Sequence, residues 1–297
     1  MSRVFLYNLN KYMDDTKTIQ VITDITDASY NEMFAIMRGV AKELSNDSAT
    51  IAPVAPVQEF SITQGAFLIR LLAKSYITPV VLFANVSPHE THKTDVIGKI
   101  KGKDIIFIGS NNGLFDWITR DFDLDYLAQI NVKKPYVVDG RLIYLPGNNP
   151  PENYISRFGN KTDYLTFSAH TIYGPIAVAL ALGMDYKKFG DDMSINSIVP
   201  LEISNGEIVH IDNYGNAKIY GSLKFSPGTK IELLVNGKKI SEAQYINDRM
   251  MSHPTKSFVV YPSTSLLNMV DLANIRGNAC KQLGLKIGDV IAFKNIG

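Results

Sequence analysis

Thr18-Ile19-Gln20-Val21-Ile22-Thr23-Asp24 is the stretch on which the reading of the fold turns. It is a β-rich run that stops at a Thr-Asp pair. A helix pattern follows from about residue 31 to 44, with Met33, Ile36, Met37 and Val40 on one face. The alternation recurs downstream. Residues 63–75 repeat the helical spacing through Phe67, Leu68, Leu71 and Leu72, entered through Ser61 and Thr63. Residues 79–86 and 104–108 are continuous apolar runs of the kind buried on both faces of a sheet. Residues 172–182 form an apolar helix closed by Gly183. Together these predict an α/β fold with a mainly parallel sheet over residues 1–185.

From about Leu201 the texture changes. Short β-type runs are expected at 208–211, 217–220, 230–235, 258–261, 269–272 and 289–293, with Pro227-Gly228 and Asn236-Gly237 as turns between them. They predict a small antiparallel, barrel-like β domain over 201–297. The polar stretch 186–200, which contains Gly190 and Pro200, is expected as a linker. A chain of 297 residues is long enough for two cores.

Composition narrows the function classes. With 45% hydrophobic and 20% charged residues the chain is globular, and a net charge of +1 offers no global attraction to nucleic acid or an anionic membrane. Lys99-Ile100-Lys101-Gly102-Lys103 reads as a solvated turn between strands. The lone Cys280 excludes intrachain disulfides and favours the cytoplasm. No apolar run reaches the length of a membrane span, and Met1 to Tyr7 lacks a signal peptide's apolar stretch. His89 and His92 stand three apart, but no carboxylate or cysteine cluster accompanies them, so no metal site is expected.

In an open parallel sheet, ligands bind beyond the carboxyl ends of the strands. Asp24 is at such an end, where a carboxylate either accepts both hydroxyls of a ribose or caps the following helix. Three further strand ends are polar: Asn85-Val86-Ser87-Pro88-His89, Gly109-Ser110-Asn111-Asn112-Gly113, and Thr166-Phe167-Ser168-Ala169-His170 before the apolar helix. Converging on one edge, they would make a pocket. In the second half, Ile208-Val209-His210-Ile211-Asp212-Asn213-Tyr214-Gly215-Asn216 is a strand breaking into a polar turn. It is either a plain turn or a presentation of a carboxylate, a stacking ring and a bidentate amide able to read a purine edge.

The order of these pieces resembles the S-adenosyl-L-methionine hydroxide adenosyltransferase family, relatives of the 5′-halogenating fluorinases and chlorinases. Its members carry a Thr-Asp turn after the first strand and a helix ending in Met-Lys-Gly; here stand Thr23-Asp24 and Met37-Arg38-Gly39. Their Pro-Phe-Asp-Ile-x-x-Gly-Ala-Phe is met by Glu59-Phe60-Ser61-Ile62-Thr63-Gln64-Gly65-Ala66-Phe67. Pro-Asp-Asn-Gly-Leu is met by Ser110-Asn111-Asn112-Gly113-Leu114, and Ile-Asp-x-Phe-Gly-Asn by Ile211 to Asn216. Leu283-Gly284-Leu285-Lys286-Ile287-Gly288-Asp289 resembles the family's entry to its last strand. The resemblance spans roughly 18–297. It implies an α/β domain followed by a β-barrel-like domain, and a homotrimer with S-adenosylmethionine bound between subunits as substrate or ligand, without a separate cofactor. It also implies that Asp24 holds the ribose hydroxyls and Phe60 is an aromatic wall. By the same carry-over, Asn111 and Asn112 line the site, Asp212 meets the methionine ammonium, Tyr214 packs on adenine and Asn216 reads its edge.

The reaction centre departs from the family. Hydrolytic members use an Asp-Arg-His set on Val-Asp-Pro-Gly-Val-Gly-Thr-x-Arg and Thr-Phe-His-Gly-Arg-Asp. Here Ser87 replaces the aspartate, Thr94 falls at the arginine with Lys93 beside it, Ser168 stands at the histidine, and His170 takes a neighbouring arginine's place. The Asp-Ile-Thr-His run is replaced by Ala52-Pro53-Val54-Ala55. Three explanations compete. His89, His92 or His170 acts as a replacement base with Ser87 and Ser168 positioning water; a halide is the nucleophile; or the protein holds an adenosyl ligand without turning it over. The reading carried forward is nucleophilic substitution at the ribose 5′ carbon, giving adenosine and L-methionine, with Ser87, Ser168 and His170 as the catalytic candidates.

Overall fold

The computed structural model describes residues 16–45, 49–86, 94–131, 136–138, 141–144, 169–263 and 268–297. The chain divides into two compact units, Met1–Leu201 and Glu202–Gly297.

In the first unit the strands are β1 (Thr18–Thr23), β2 (Thr50–Ile51), β3 (Ala55–Pro56), β4 (Val80–Asn85), β5 (Asp95–Ile100), β6 (Ile105–Ser110), β7 (Leu124–Ile130), β8 (Tyr136–Val138), β9 (Arg141–Tyr144) and β10 (Gly190–Asp192). The helices are α1 (Ala28–Ser45), α2 (Ile62–Ser75), α3 (Asp116–Asp121) and α4 (Gly174–Ala181), the last preceded by a π-helical turn at Ala169–Tyr173. The main sheet runs β10-β7-β5-β6-β4-β1-β2, with β3 also pairing β1, while β8 and β9 form a separate hairpin.

Alternation within the strands explains the layering. Ile19, Val21, Val81, Phe83, Ile106 and Ile108 face α1 and α4 through Met33, Met37, Ile176 and Leu180. Ile22, Val80, Leu82, Ala84, Ile105 and Phe107 face α2 and α3 through Ile69, Ala73 and Ile118. Successive strand residues point to opposite faces, so runs buried on both sides must be apolar throughout.

The sheet is mainly parallel, as expected, with an antiparallel side. β2, β3, β1, β4 and β6 pair in parallel, whereas β5, β7 and β10 add antiparallel. The reason is local. Only the turn at residues 101–104 separates β5 from β6, closed by the Lys103 N–H donating to the Ile100 carbonyl at 3.3 Å. So short a link can join only antiparallel neighbours. Residues 186–200, expected as a linker, are built into this unit: β10 pairs with β7, and Met193 N–H donates to the Leu127 carbonyl.

The second unit holds β11 (Ile208–Ile211), β12 (Ala217–Tyr220), β13 (Lys230–Val235), β14 (Lys238–Tyr245), β15 (Phe258–Pro262), β16 (Met269–Asn274), β17 (Ile291–Asn295) and the short helix α5 (Ala279–Leu283). Its sheet runs β11-β12-β16-β15-β14-β13-β17. A bridge between Glu207 and Val290, with Ile208 N–H donating to the Asp289 carbonyl at 2.8 Å, brings the two ends of that path together. The sheet therefore curls into a barrel-like form around Ile208, Ile219, Ile231, Leu233, Val260, Leu272 and Ile291. All pairings are antiparallel except β14 with β15. Asn236 and Gly237 both have positive φ, 51° and 73°, as the tight β13–β14 hairpin requires. Among the described residues no helix is long and apolar enough to cross a membrane.

Candidate functional site

β1, β4 and β6 point the same way, and their register aligns Thr23 with Asn85 and Ala84 with Gly109. The chain therefore leaves all three strands at one edge, carrying Asp24 from β1, Val86 from β4 and Asn111-Asn112 from β6. The expected convergence at the carboxyl edge is present for these residues. Ser87, His89, His92 and Ser168 lie outside the described residues.

A cleft of about 350 Å³ opens at this edge, lined by Asp24, Ile25, Thr26, Asp27, Ser29, Glu59 and Phe60. Asp24 Oδ2 accepts the Phe60 N–H at 3.0 Å. Phe60 has φ of 61°, the left-handed region that a phenylalanine adopts only under constraint. The tight passage from Glu59 into α2 supplies it: Ser61 N–H donates to the Gln58 carbonyl, and the Ser61 hydroxyl caps α2 by accepting the Gln64 N–H at 3.3 Å. The Phe60 ring is left 46% exposed on the cleft wall. The second carboxylate oxygen, Asp24 Oδ1, is buried without a hydrogen-bond partner among the described residues. Leaving a buried acceptor unsatisfied costs about 1–3 kcal/mol, so this atom suits a ligand hydroxyl.

The neighbouring asparagines are used differently. Asn111, 3% exposed, gives its amide to the Ser197 carbonyl at 2.8 Å and to the Thr94 hydroxyl at 3.3 Å, and accepts the Val199 N–H at 2.8 Å. It clamps the end of β6 to Thr94 and to the 197–199 stretch. Asn112 donates to the Val86 carbonyl at 3.2 Å and accepts the Leu114 N–H at 3.4 Å, which ties the β6 end to the β4 end. The loop packs on α2 so closely that a Cβ on Gly65 would stand 2.6 Å from a Leu114 methyl, which explains glycine there.

His170 is 6% exposed on the π-helical turn. Its Nε2 stands 3.0 Å from the Ser29 carbonyl oxygen, and its Nδ1 3.9 Å from Glu32. A carbonyl only accepts, so Nε2 carries the proton. His170 thus contacts the backbone of a cleft-lining residue.

In the second unit, the Asp212 carboxylate organises its own turn. Oδ1 accepts the N–H groups of Tyr214 and Asn216, each at 2.9 Å, and Oδ2 accepts the Asn216 side-chain amide at 2.9 Å. Gly215 has φ of 80° and packs so tightly that a Cβ would overlap the Asn278 side chain. The turn therefore presents the Tyr214 ring, 71% exposed, on a rigid base.

A family model described as the SAM hydroxide adenosyltransferase N-terminal domain matches residues 19–190. The chain belongs to the SAM hydroxide adenosyltransferase family. A SAM-utilising, adenosyltransferase-type function goes with that membership. The chain is also similar in fold to an uncharacterized conserved protein from Thermotoga maritima, with a TM-score of 0.71, 18% identity, and coverage of 93% of this chain and 100% of the other. A conserved hypothetical protein from Thermus thermophilus gives a TM-score of 0.63 at 18% identity, covering 94% of this chain and 100% of its own. No curated protein matches by sequence.

Two features of this SAM hydroxide adenosyltransferase family member escaped the sequence reading. The first is the acidic lining of the cleft by Asp27 and Glu59, whose signal was only their position beside Asp24 and Phe60. The second is a polar row across the barrel. His210 pairs with Lys218, Lys218 with Asp271, and Asp271 with Tyr261 on four adjacent strands. Lys218 Nζ donates to Asp271 Oδ2, with Asp271 only 2% exposed. Burial raises the Asp271 carboxyl above its ordinary range, and the Lys218 ammonium opposes that. Burial pushes His210 down to about 4, Asp212 pulling the other way and Lys218 adding to the drop. Strand residues this far apart reveal no common row until register is set. Among the described residues, no group of three or more His, Cys, Asp or Glu side chains is placed to hold a metal ion.

Proposed function

We propose that this protein binds S-adenosyl-L-methionine and substitutes at its ribose 5′ carbon. An oxygen of water or hydroxide bonds to that carbon, and the carbon–sulfur bond breaks with its electron pair remaining on sulfur. One proton passes to solvent when water attacks, and adenosine and L-methionine are released. The sulfonium is already a good leaving group, so the protein's work is to orient the reactants and strip water from the nucleophile.

One observation carries this reading: Asp24 Oδ1, buried and without a partner among the described residues, at a cleft walled by Phe60 on the carboxyl edge of the parallel strands. A carboxylate so placed accepts a ribose hydroxyl. Oδ2, already holding the Phe60 N–H, keeps a lone pair for the second hydroxyl. In this reading Ser87 and Ser168 orient the nucleophile. Tyr214 packs on the adenine, while Asp212 and Asn216 serve it by holding the turn. The functional form is a homotrimer that takes S-adenosylmethionine as substrate, without another cofactor.

The test is incubation of purified protein with S-adenosylmethionine, with and without chloride, following adenosine, 5′-chloroadenosine and methionine by chromatography. Adenosine and methionine in equal amounts support the reading. Chloroadenosine would replace water by halide as nucleophile. Saturable binding without product would make the protein an adenosyl-binding module, and absence of binding would overturn both. Ser168→Ala should lower turnover while leaving binding intact.

A further inference from the structure

His170 stands where a replacement base was expected, yet its geometry gives it other work. The ring is buried on the π-helical turn that leads into α4, and its Nε2 proton is directed at the Ser29 carbonyl, 3.0 Å away and 141 positions earlier in the chain. Ser29 lines the cleft, five residues beyond Asp24. We propose that His170 is a positioning residue: through its hydrogen bond to the Ser29 carbonyl it holds the Asp24–Ser29 wall of the cleft in the conformation that receives ligand. The inference rests on the proposed adenosyl-binding reading for its functional consequence.

The wall is otherwise held by short local bonds. Ile25 N–H donates to the Thr23 hydroxyl at 3.0 Å, Ser29 N–H to Asp27 Oδ1 at 2.9 Å, and Tyr30 N–H to the Asp27 carbonyl at 3.1 Å. Each spans two or three residues, so together they shape the segment without anchoring it. Among the described residues, two long-range bonds do the anchoring: Phe60 N–H to Asp24 at one end and His170 to Ser29 at the other. The π-helical turn supports the second bond. A Cβ on Gly174 would stand 2.8 Å from the Ala169 carbonyl oxygen and 3.1 Å from Met37 on α1, so the turn is pressed against the helix whose first turn holds Ser29. Turns of this π type are frequent at functional sites. With its proton on Nε2 aimed at a carbonyl, His170 is poorly placed to take a proton from water at the same nitrogen.

The test compares His170→Gln with His170→Leu. Glutamine carries an amide N–H that reaches about as far as Nε2 but cannot act as a base near neutral pH, whereas leucine fills the space and removes the donor. Positioning predicts that His170→Gln keeps the S-adenosylmethionine dissociation constant within about threefold of native. His170→Leu should weaken binding at least about tenfold, as expected for loss of an ordering hydrogen bond, with a smaller change in kcat. If His170→Gln lost turnover while binding normally, the residue would be a base and the proposal would fail.

A second measurement works without ligand. In the ligand-free protein, amide hydrogen exchange over residues 25–30 should quicken about tenfold in His170→Leu but not in His170→Gln. Exchange in β13 and β14 of the other unit serves as the control for folding. Unchanged exchange at residues 25–30 in His170→Leu overturns the positioning role even if S-adenosylmethionine proves to be the wrong ligand.

Discussion

The Asp24 carboxylate holds the backbone of Phe60: its Oδ2 accepts the Phe60 N–H at 3.0 Å, joining the end of β1 to the entry of α2 across 36 positions. One oxygen thus stabilises a backbone conformation while the other stays buried, without a partner among the described residues. A residue arranged in this way contributes less to stability than a fully bonded one and keeps bonding capacity for a ligand.

Asp24→Asn separates these two tasks. The amide oxygen can still accept the Phe60 N–H, which turns the NH2 group toward the cleft and removes the charged acceptor. Thermal stability should stay level or rise. S-adenosylmethionine affinity should fall about 10- to 100-fold, the range for losing hydrogen bonds to a charged group. Calorimetric titration decides it, and affinity within about twofold of native would move the ribose away from Asp24.

Phe60→Gly tests the strained wall. A left-handed phenylalanine costs roughly 1–2 kcal/mol, and glycine adopts the same φ without strain while losing about 0.5–1 kcal/mol through its looser unfolded chain. Denaturant unfolding should therefore give a stability equal to native or higher by up to about 1.5 kcal/mol. Phe60→Ala, which keeps the strain and loses the ring, should be less stable than Phe60→Gly. Both should bind ligand more weakly, and equal affinity in either variant would remove the ring from the site.

Lys218→Met should strongly destabilise the barrel-like unit. It leaves the Asp271 carboxylate, 2% exposed, buried without its partner. Breaking such a pair typically costs about 3–5 kcal/mol. Adding Asp271→Leu should restore most of that loss, because two apolar groups need no compensation. A double variant as unstable as the single one would show that the pair does more than neutralise itself.

His210 sets a pH dependence. Its folded-state value is about 4 against an ordinary 6.5. Below about 6.5 the unfolded chain takes up a proton that the folded chain refuses until about 4. The stability due to neutral His210 is therefore complete above about pH 6.5, is lost progressively as pH falls through that window, and changes little below about 4. His210→Gln should flatten that slope in urea titrations across about pH 4–7, and NMR titration of the ring should give the low value directly.

How much of this was legible beforehand follows from the range of each interaction. β1, α1, α2, β4, β6 and the runs that became β11 to β13 are visible as apolar periodicity, because burial imposes period 2 or 3.6 on neighbouring residues. β5, β7 and β14 are not: β5 is interrupted by Gly98 and Lys99, and β7 and β14 carry exposed residues. β14 reads Lys238-Lys239-Ile240-Ser241-Glu242-Ala243-Gln244-Tyr245 and forms a strand because β13 and β15 flank it. The stretch 186–200 looked like a linker for the same reason. Its polarity suits an edge position, and β7 supplies the partner that makes β10 a strand.

The site divides along the same line. The sequence alone determined which groups stand at strand ends, namely Asp24, Asn111-Asn112 and the Asp212–Asn216 turn, because turn chemistry and strand termination act over a few residues. Tertiary structure alone decided how those groups are used. Asn111 and Asn112 became clamps and the Asp212 carboxylate became the keystone of its own turn. His170 met a carbonyl 141 positions away, and Asp24 was left with one oxygen bonded and the other without a partner among the described residues. A side chain's partners depend on which distant backbone arrives within about 3 Å, and that is settled only when strand order and register bring the segments together.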